Sequence, residues 1–405
     1  MARNGITKED SVLLTSRVRW LLLTIVLLWA TAITTAARAE TPGTAPDKAD
    51  GAAPADTGDY QRQIAAYQQA RQKFDGEAAA YWGVIGQKRR LRQTRRRDGA
   101  EVGLDDYVLT QPPLYAGPPP PRTGDEKLVP PRKYIPVVAD FLKSAQDHFG
   151  FAPQRPQNEA EFKRAYATLA LNAGLTRDQI VRVYIFETGG NGAYDSQAGL
   201  EYSSKARAVS PALGYNQLLN TNSVELVAEK GDAFVARLKA RAATQSGEAK
   251  QVLERKIEVL RRMIDFCRTV PDAWKAHDDL ANTPQGLGVH ALLLDVDVGP
   301  LLQVQKLLDS VLYARRQGHA APLTASELEM MNLTGDGNGL DIILLPAALR
   351  ERVPTANFFL QAGYERNPVA IRNNVVSRLL TVTDAAMDRG MNLTGARELA
   401  NAATR

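Results

Sequence analysis

Apolar positions along this chain recur mostly at three- and four-residue steps, the period of helices. Segments 137–148, 158–172, 177–188, 215–229, 248–269, 300–316, 324–332 and 368–390 all carry that spacing, and strand-like alternation is scarce. The pattern predicts a mainly α fold. Upstream, Tyr60, Ile64, Tyr67, Phe74, Ala78, Tyr81 and Ile85 fall on alternating four- and three-residue steps, interrupted only at Arg71. This is a short coiled-coil-like stripe, weakened by Gly76 and Gly83. It has two readings: a helix packed on its own domain, or self-association or docking of an envelope partner through residues 60–85.

The stripe ends in KRRLRQTRRR, residues 88–97, where seven of ten positions are basic. Such a run is commonly a solvated end, and can also grip a polyanion. No aromatic residues interleave it, so it lacks the stacking platforms that single-stranded nucleic acid requires, and no nucleic-acid partner is expected. Next come Pro112, Pro113, Pro118 to Pro121, Pro130, Pro131 and Pro136, which favour an extended, stiff spacer. The main domain is expected to begin near Tyr134 and to run to residue 405.

Arg17 and Arg19 precede an apolar run from Trp20 to about Ile33, and Ala37-Arg38-Ala39 follows. This is the layout of an export signal. The run is short for a membrane span, which needs about 20 residues. Cleavage after Ala39 and a periplasmic location are expected, with an uncleaved inner-membrane anchor as the alternative. The organisation is then a signal over 1–39 and a disordered linker over 40–58. An amphipathic and basic helical segment (59–97), a proline-rich linker (98–133) and the domain over 134–405 follow.

Of the 405 residues, 44% are hydrophobic and 23% charged, enough apolar material for a sizeable core. The formal net charge is +5, suited to an acidic polymer or an anionic surface. Cys267 is the only cysteine, so no intramolecular disulfide can form. His148, His277, His290 and His319 show no ligand spacing, and no metal or cofactor is expected. TGDGNGLDI, residues 334–342, alternates acids with glycines like a calcium loop. The twelfth position from Asp336 is Ala347, where such a loop needs a glutamate, so a glycine-rich turn before a helix over 340–350 is expected. NLTG occurs at 332–335 and again at 392–395, which reads as two helix boundaries.

The candidate chemistry lies in YIFETGGNG, residues 184–192. Thr176 and Gln179 form a capping box for the helix that ends there, and Gly189 or Gly190 can stop it in the left-handed conformation. Glu187 is a single acid on the last turn of that apolar helix, on one face with Ile180, Val183 and Tyr184. Desolvation and the negative end of the helix dipole both raise the pKa of such a carboxyl. A carboxyl still protonated near neutral pH is what a general acid in glycoside cleavage requires. The alternative is a last-turn acid turned to solvent or paired with Arg182.

Twenty residues on, RAVSPALGYNQLLNTNSVELV, residues 207–227, gives Ser-Pro, a small-residue turn, and Gly-Tyr-Asn-Gln opening a helix. An apolar helix ending in Glu, then a loop, then S-P-x-x-x-G-x-x-Q and a helix resembles the soluble lytic transglycosylases of the lysozyme-like superfamily. The resemblance covers residues 178–228. It implies a lysozyme-like α+β catalytic domain acting on peptidoglycan glycan strands, and it places Glu187 at the catalytic acid. Ser210, Tyr215 and Gln217 fall at positions beside the sugar groove. The chain departs from the family at Thr188-Gly189-Gly190, in the long loop from Asn191 to Val209, and at Tyr215-Asn216. It also lacks a clean A-Y-N-A-G motif, for which Tyr364 in LQAGYERNPV is the stand-in.

The implied reaction cleaves the bond between N-acetylmuramic acid and N-acetylglucosamine with a single glutamate and assistance from the sugar's own acetamide. Asp195 and Glu201, in the loop after Glu187, could instead hold a water opposite the acid. That would make a hydrolytic muramidase, for which the two carboxyls should stand roughly 6.5–9.5 Å apart. A non-catalytic peptidoglycan-binding envelope protein is the third expectation.

Overall fold

The computed structural model describes residues 57–121, 134–200, 207–365 and 367–404. The expected export signal, most of the linker after it, residues 122–133 and Glu201 lie outside the described residues. The described chain is mainly helical, as the apolar spacing predicts. Its extended pairing is limited to isolated bridges, Gln197 with Leu213, Leu213 with Leu218, and Pro354 with Val375.

A long helix α1 (Thr57–Arg97) precedes the main body. There α2 (Val138–Phe149), α3 (Glu159–Asn172) and α4 (Arg177–Thr188) are followed by an antiparallel pair, α5 (Asn220–Ala243) and α6 (Gly247–Cys267). Short helices α7 (Trp274–Ala281) and α8 (Pro284–His290) lead into the buried α9 (Gly299–Arg316). After it come α10 (Ala325–Thr334), α11 (Asp336–Ile343), α12 (Ala347–Arg350), α13 (Gln361–Glu365) and α14 (Pro368–Arg372). The chain closes with α15 (Val376–Gly390) and α16 (Thr394–Ala402). One core fills the space between α2 and α11 and takes in α16, with Cys267 buried in it as a small apolar residue. A second core joins Tyr107 to α10, α11 and the segments from Val353 to Leu379, and Tyr81 and Trp82 of α1 pack on it.

Three expected helices are interrupted. The one over 215–229 starts only at Asn220, because residues 213–218 form a tight turn. The one over 340–350 breaks before Pro346, and the one over 368–390 breaks at Asn373–Val375. In that second break the backbone is used elsewhere: Thr355 N donates to Asn374 O and Val376 N to Val353 O. The glycine-rich turn at 334–339 shrinks to Gly335, at φ 85°, since α11 already begins at Asp336. Gly339 lies flat on the Met331 backbone, so the small residues there seat α11 on α10.

The largest departure from the sequence reading is at the basic run. Arg89 and Arg92 are fully buried, whereas Leu91 between them is 45% exposed. Arg92 donates Nε to Asp341 Oδ2 at 2.9 Å, Nη1 to Asp106 O at 3.0 Å and Nη2 to Asn357 O at 3.1 Å. Arg89 donates to Asn357 O and Phe359 O, and Arg96 pairs with the other Asp341 oxygen. Three-residue spacing puts Arg89 and Arg92 on one helix face, and that face meets carbonyls and a carboxylate. Burial pulls both guanidiniums down to about 10, which leaves them charged at neutral pH. One face of the run is therefore an internal clamp, while Arg90 and Arg97 remain exposed.

The segment read as a spacer is also packed as far as Tyr115, after which residues 116–120 are exposed. Tyr115 sits edge-on to Tyr67 and Phe74 of α1, Tyr81 Oη donates to Thr110 O at 2.8 Å, and Gln111 donates to Asn374 O. With Ala78 and Ile85 buried as well, much of the α1 stripe is occupied by its own chain.

Candidate active site

Helix α4 starts as its sequence dictates. Thr176 Oγ1 accepts from Gln179 N at 3.1 Å, and Gln179 Oε1 accepts from Thr176 N at 2.8 Å, closing the capping box. The helix stops at Gly189, whose φ of 69° is left-handed, and Gly190 continues at 81°. The chain comes to the surface just past this turn, at Asn191, with Thr188 half-buried, while Glu187 stays 6% exposed. The acid is turned inward and not to solvent. Arg182 does not meet it, being held on the outer side of α4 by Asp384 and Asp388 of α15.

Glu187 faces α10. Asn332 Nδ2 donates to Glu187 Oε1 at 2.6 Å, and Glu329, fully buried one turn earlier on α10, lies within hydrogen-bonding reach of the same carboxyl. Burial is the main force on the pair. It pushes Glu187 up to about 8, opposed in part by hydrogen bonds from Glu329 and Asn332. Glu329 is raised well above the usual carboxylate range, by burial first and then by Glu187 beside it; Asn332 and the Lys306 ammonium act the other way.

The turn at 213–218 lies against α4 one helical turn before the acid. The Tyr215 ring stands edge-on to Tyr184, with centroids 4.9 Å apart. Leu213 and Leu218 exchange two backbone hydrogen bonds of 3.0 Å, which fold the turn tightly. Gln217 takes a left-handed φ of 43°, an uncommon conformation for a residue with a side chain. Its Nε2 holds that shape by donating to Gly214 O and Ser196 O at 2.8 and 3.0 Å. Gln303 of α9 supports the turn from below, accepting from Asn216 N at 3.0 Å and donating to Leu213 O.

Ser210 Oγ accepts from Ala212 N at 3.2 Å, and the next carbonyl, Pro211 O, meets His290 Nε2 at 3.0 Å. Because that nitrogen must donate, His290 Nδ1 accepts from Ser223, and burial lowers the imidazole to about 4, keeping it neutral. Tyr215 Oη donates to Glu159 of α3.

The structure thus places Tyr215 next to the acid's helix but gives Ser210, Tyr215 and Gln217 internal partners. None of the three is hydrogen-bonded to Glu187. Tyr364 lies in the second core, against Trp82 and Phe359, and is not part of the cluster around the acid. Asp195 pairs with Arg155, so the carboxylate considered for holding a water is already engaged. Among the described residues, no group of three or more His, Cys, Asp or Glu side chains is arranged to hold a metal. A cavity of about 420 Å³ lies on α5 and the α6–α7 connection, lined by Lys230 and Arg268 among others, and shares no residue with the carboxyl pair.

No protein-family model, curated protein or solved structure matches this chain. Its site must therefore be understood from its own residues.

Two of those residues escape the sequence reading. Glu329 and Asn332 sit in SELEMMNLTG, where an acid stands in an apolar helical run just as Glu187 does. That shared oddity was the available signal. The repeated NLTG also has a spatial meaning. Asn332 of the first copy binds Glu187, and in the second copy Gly395 N donates to Asn191 Oδ1 at 3.0 Å. Both copies therefore brace the C-terminal end of α4. The bracing is close: a Cβ on Gly395 would stand 2.6 Å from the Tyr184 hydroxyl, and one on Gly390 would overlap Ile185.

Proposed function

We propose that this protein is a lysozyme-like lytic transglycosylase that cleaves peptidoglycan glycan strands with Glu187 as its acid. The observation that carries the reading is the state of Glu187. It is a buried carboxyl on the last turn of its helix, with desolvation pushing it up to about 8 and the Ser-Pro…Gly-Tyr-Asn-Gln turn packed on the preceding helical turn.

The chemistry follows from that state. Cleavage needs a proton on the glycosidic oxygen as the bond breaks, and protonated Glu187 can supply it. The sugar's acetamide supports the developing cation, so a second protein carboxylate need not touch the substrate. The resulting Glu187 carboxylate then takes the proton of the sugar's own 6-hydroxyl, whose oxygen closes an anhydro ring. Engagement of Asp195 by Arg155 favours this self-assisted route over a hydrolase that positions water with Asp195. Ser210, Tyr215 and Gln217 serve in this reading as the scaffold of the turn beside α4. In this reading the expected export signal puts the reaction in the periplasm.

A non-catalytic peptidoglycan-binding protein is the second reading, favoured by the 6% exposure of Glu187. Digestion of purified wall material separates the two. Parent protein should release fragments that mass spectrometry identifies as anhydro-ended, and folded Glu187→Gln protein should not. Reducing ends would mean hydrolysis, and no release by the parent would leave the binding reading.

A further inference from the structure

Two acids pressed together in a protein interior raise the question of which holds its proton. Glu187 Oε2 and both Glu329 oxygens are buried without a conventional hydrogen-bond donor, and the Asn332 amide is directed to Glu187 Oε1. Two ionised carboxylates in that setting would repel each other with three oxygens unsatisfied, each at a substantial desolvation cost. A proton between them removes the repulsion and pairs two of the three oxygens.

The charged groups on the neighbouring elements do not alter this. On α4, Arg182 is held by α15 aspartates. Lys163 of α3 pairs with Glu398 of α16, and Asp336 of α11 accepts from Ser310 of α9. Glu327 of α10 closes the cap on Thr324. Lys306 of α9 acts on Glu329 from a distance without forming an ion pair.

We propose that Glu329 is a positioning residue: its carboxyl stays neutral and donates its hydroxyl to Glu187. The carboxylate formed when Glu187 releases its proton then meets two donors already in place, Glu329 and Asn332. This inference rests on the general-acid reading of Glu187. Glu329 is fully buried and acts through Glu187 rather than on the sugar. Its assignment as the donor agrees with the directions of the two shifts, since Glu329 favours ionisation of Glu187 while Glu187 opposes that of Glu329.

In the reaction, the Glu187 proton goes to the leaving oxygen, which also takes the electron pair of the broken bond. Glu329 keeps its O–H throughout. Glu187 is reprotonated by the 6-hydroxyl as that oxygen bonds to the anomeric carbon, and no net proton is gained or lost. Such preplaced donors stabilise developing charge without reorganisation.

The test combines infrared titration of carboxyl groups in the folded full chain with wall digestion across pH. At neutral pH the protonated-carboxyl signal should be lost in part in Glu329→Gln and further in the Glu187→Gln/Glu329→Gln double variant. Glu329→Gln keeps a donor, so its rate should fall only a few-fold and its alkaline limb should barely move. Glu329→Met removes the donor. Its rate should fall roughly 10- to 100-fold, the worth of one hydrogen bond to a charged group, and its alkaline limb should move to higher pH. A Glu329 signal already ionised at neutral pH would overturn the proposal. So would an alkaline limb displaced downward by a full unit or more in Glu329→Gln, the sign of lost repulsion. An inactive parent would end the catalytic reading and any role of Glu329 in a reaction, while the infrared signal would still report separately whether Glu329 is the neutral partner.

Discussion

Two clusters of buried polar side chains lie against the neighbouring helices α10 and α11, and they are built on opposite rules. Between α1 and α11, Arg89, Arg92 and Arg96 meet Asp341 and main-chain carbonyls. Between α4 and α10, one acid meets another, with a single amide as conventional donor. In the first cluster unlike charges compensate, and the guanidiniums keep their charge. In the second, like groups confront each other, and the cost is met by holding protons. Complementary burial makes a joint; uncompensated burial makes a group with an unusual proton affinity, which is what acid catalysis uses.

The comparison breaks most visibly at Glu187. Glu187→Gln should lower the wall-cleaving rate by roughly 10²–10⁴, the contribution of one positioned acid, while circular dichroism stays unchanged and the midpoint of unfolding holds or rises. An active, folded Glu187→Gln protein would reduce that acid to a helix terminus.

Arg92→Met should do the reverse, costing stability first. It strands buried Asp341 against Arg96 alone, and breaking such a pair costs about 3–5 kcal/mol. Urea unfolding with the rate measured per folded molecule would show it. A chain beginning at Tyr134 should be worse still, since it removes every arginine of the clamp and the cover of Trp82 over Tyr364. If it unfolds cooperatively at the parent midpoint, the clamp is ornament. This outcome is opposite to the one suggested by the proline-rich spacer in the sequence.

The two clusters should also differ in pH dependence. Glu187 binds its proton more tightly folded, about 8 against an ordinary 4.5. Between those values the folded state holds a proton that the unfolded state has lost, so Glu187 makes stability fall as pH rises, by at most about 1.4 kcal/mol per unit, a contribution that levels off above about 8, and raised Glu329 adds a decline of the same sign. Catalytic rate falls through the upper part of the same window. Denaturant titrations from acid to mildly alkaline pH should show that decline in the parent and a flatter one in Glu187→Gln. Arg92→Met should retain the slope, because a guanidinium near 10 does not titrate there.

The smallest effect is expected at Ser210. Its hydroxyl caps a local turn, so Ser210→Ala should cost about 0.5–1.5 kcal/mol and change the wall-cleaving rate less than twofold. A large loss of rate without a loss of stability would return Ser210 to the sugar groove.

What the sequence disclosed and what it withheld divide along physical lines. Helix α4 was legible at both ends, because capping boxes and left-handed glycines are local devices within four residues. The isolation of Glu187 in an apolar run was legible for the same reason. Its partner was not, since Glu329 lies 142 positions away on another helix and only packing joins them. The clamp misled in a more instructive way. Seven basic residues in ten read as solvated, because the cost of burying arginine is visible locally. The compensating groups, Asp341, Asn357 O and Phe359 O, come from residues about 250 positions later. Tyr215, which the resemblance put beside the sugar groove, packs on α4, and Tyr364, chosen without a clean motif, lies in the other core.

The bracing of α4 by the two NLTG segments sets a schedule for the protein's own synthesis. Glu187 leaves the ribosome well before Glu329 and Asn332, and before Gly390 and Gly395, which close against Ile185 and Tyr184. No nascent chain can hold the acid in its finished surroundings until the residues through Gly395 have been made. A polypeptide cut short before α10 carries the glutamate without Glu329 and Asn332 around it.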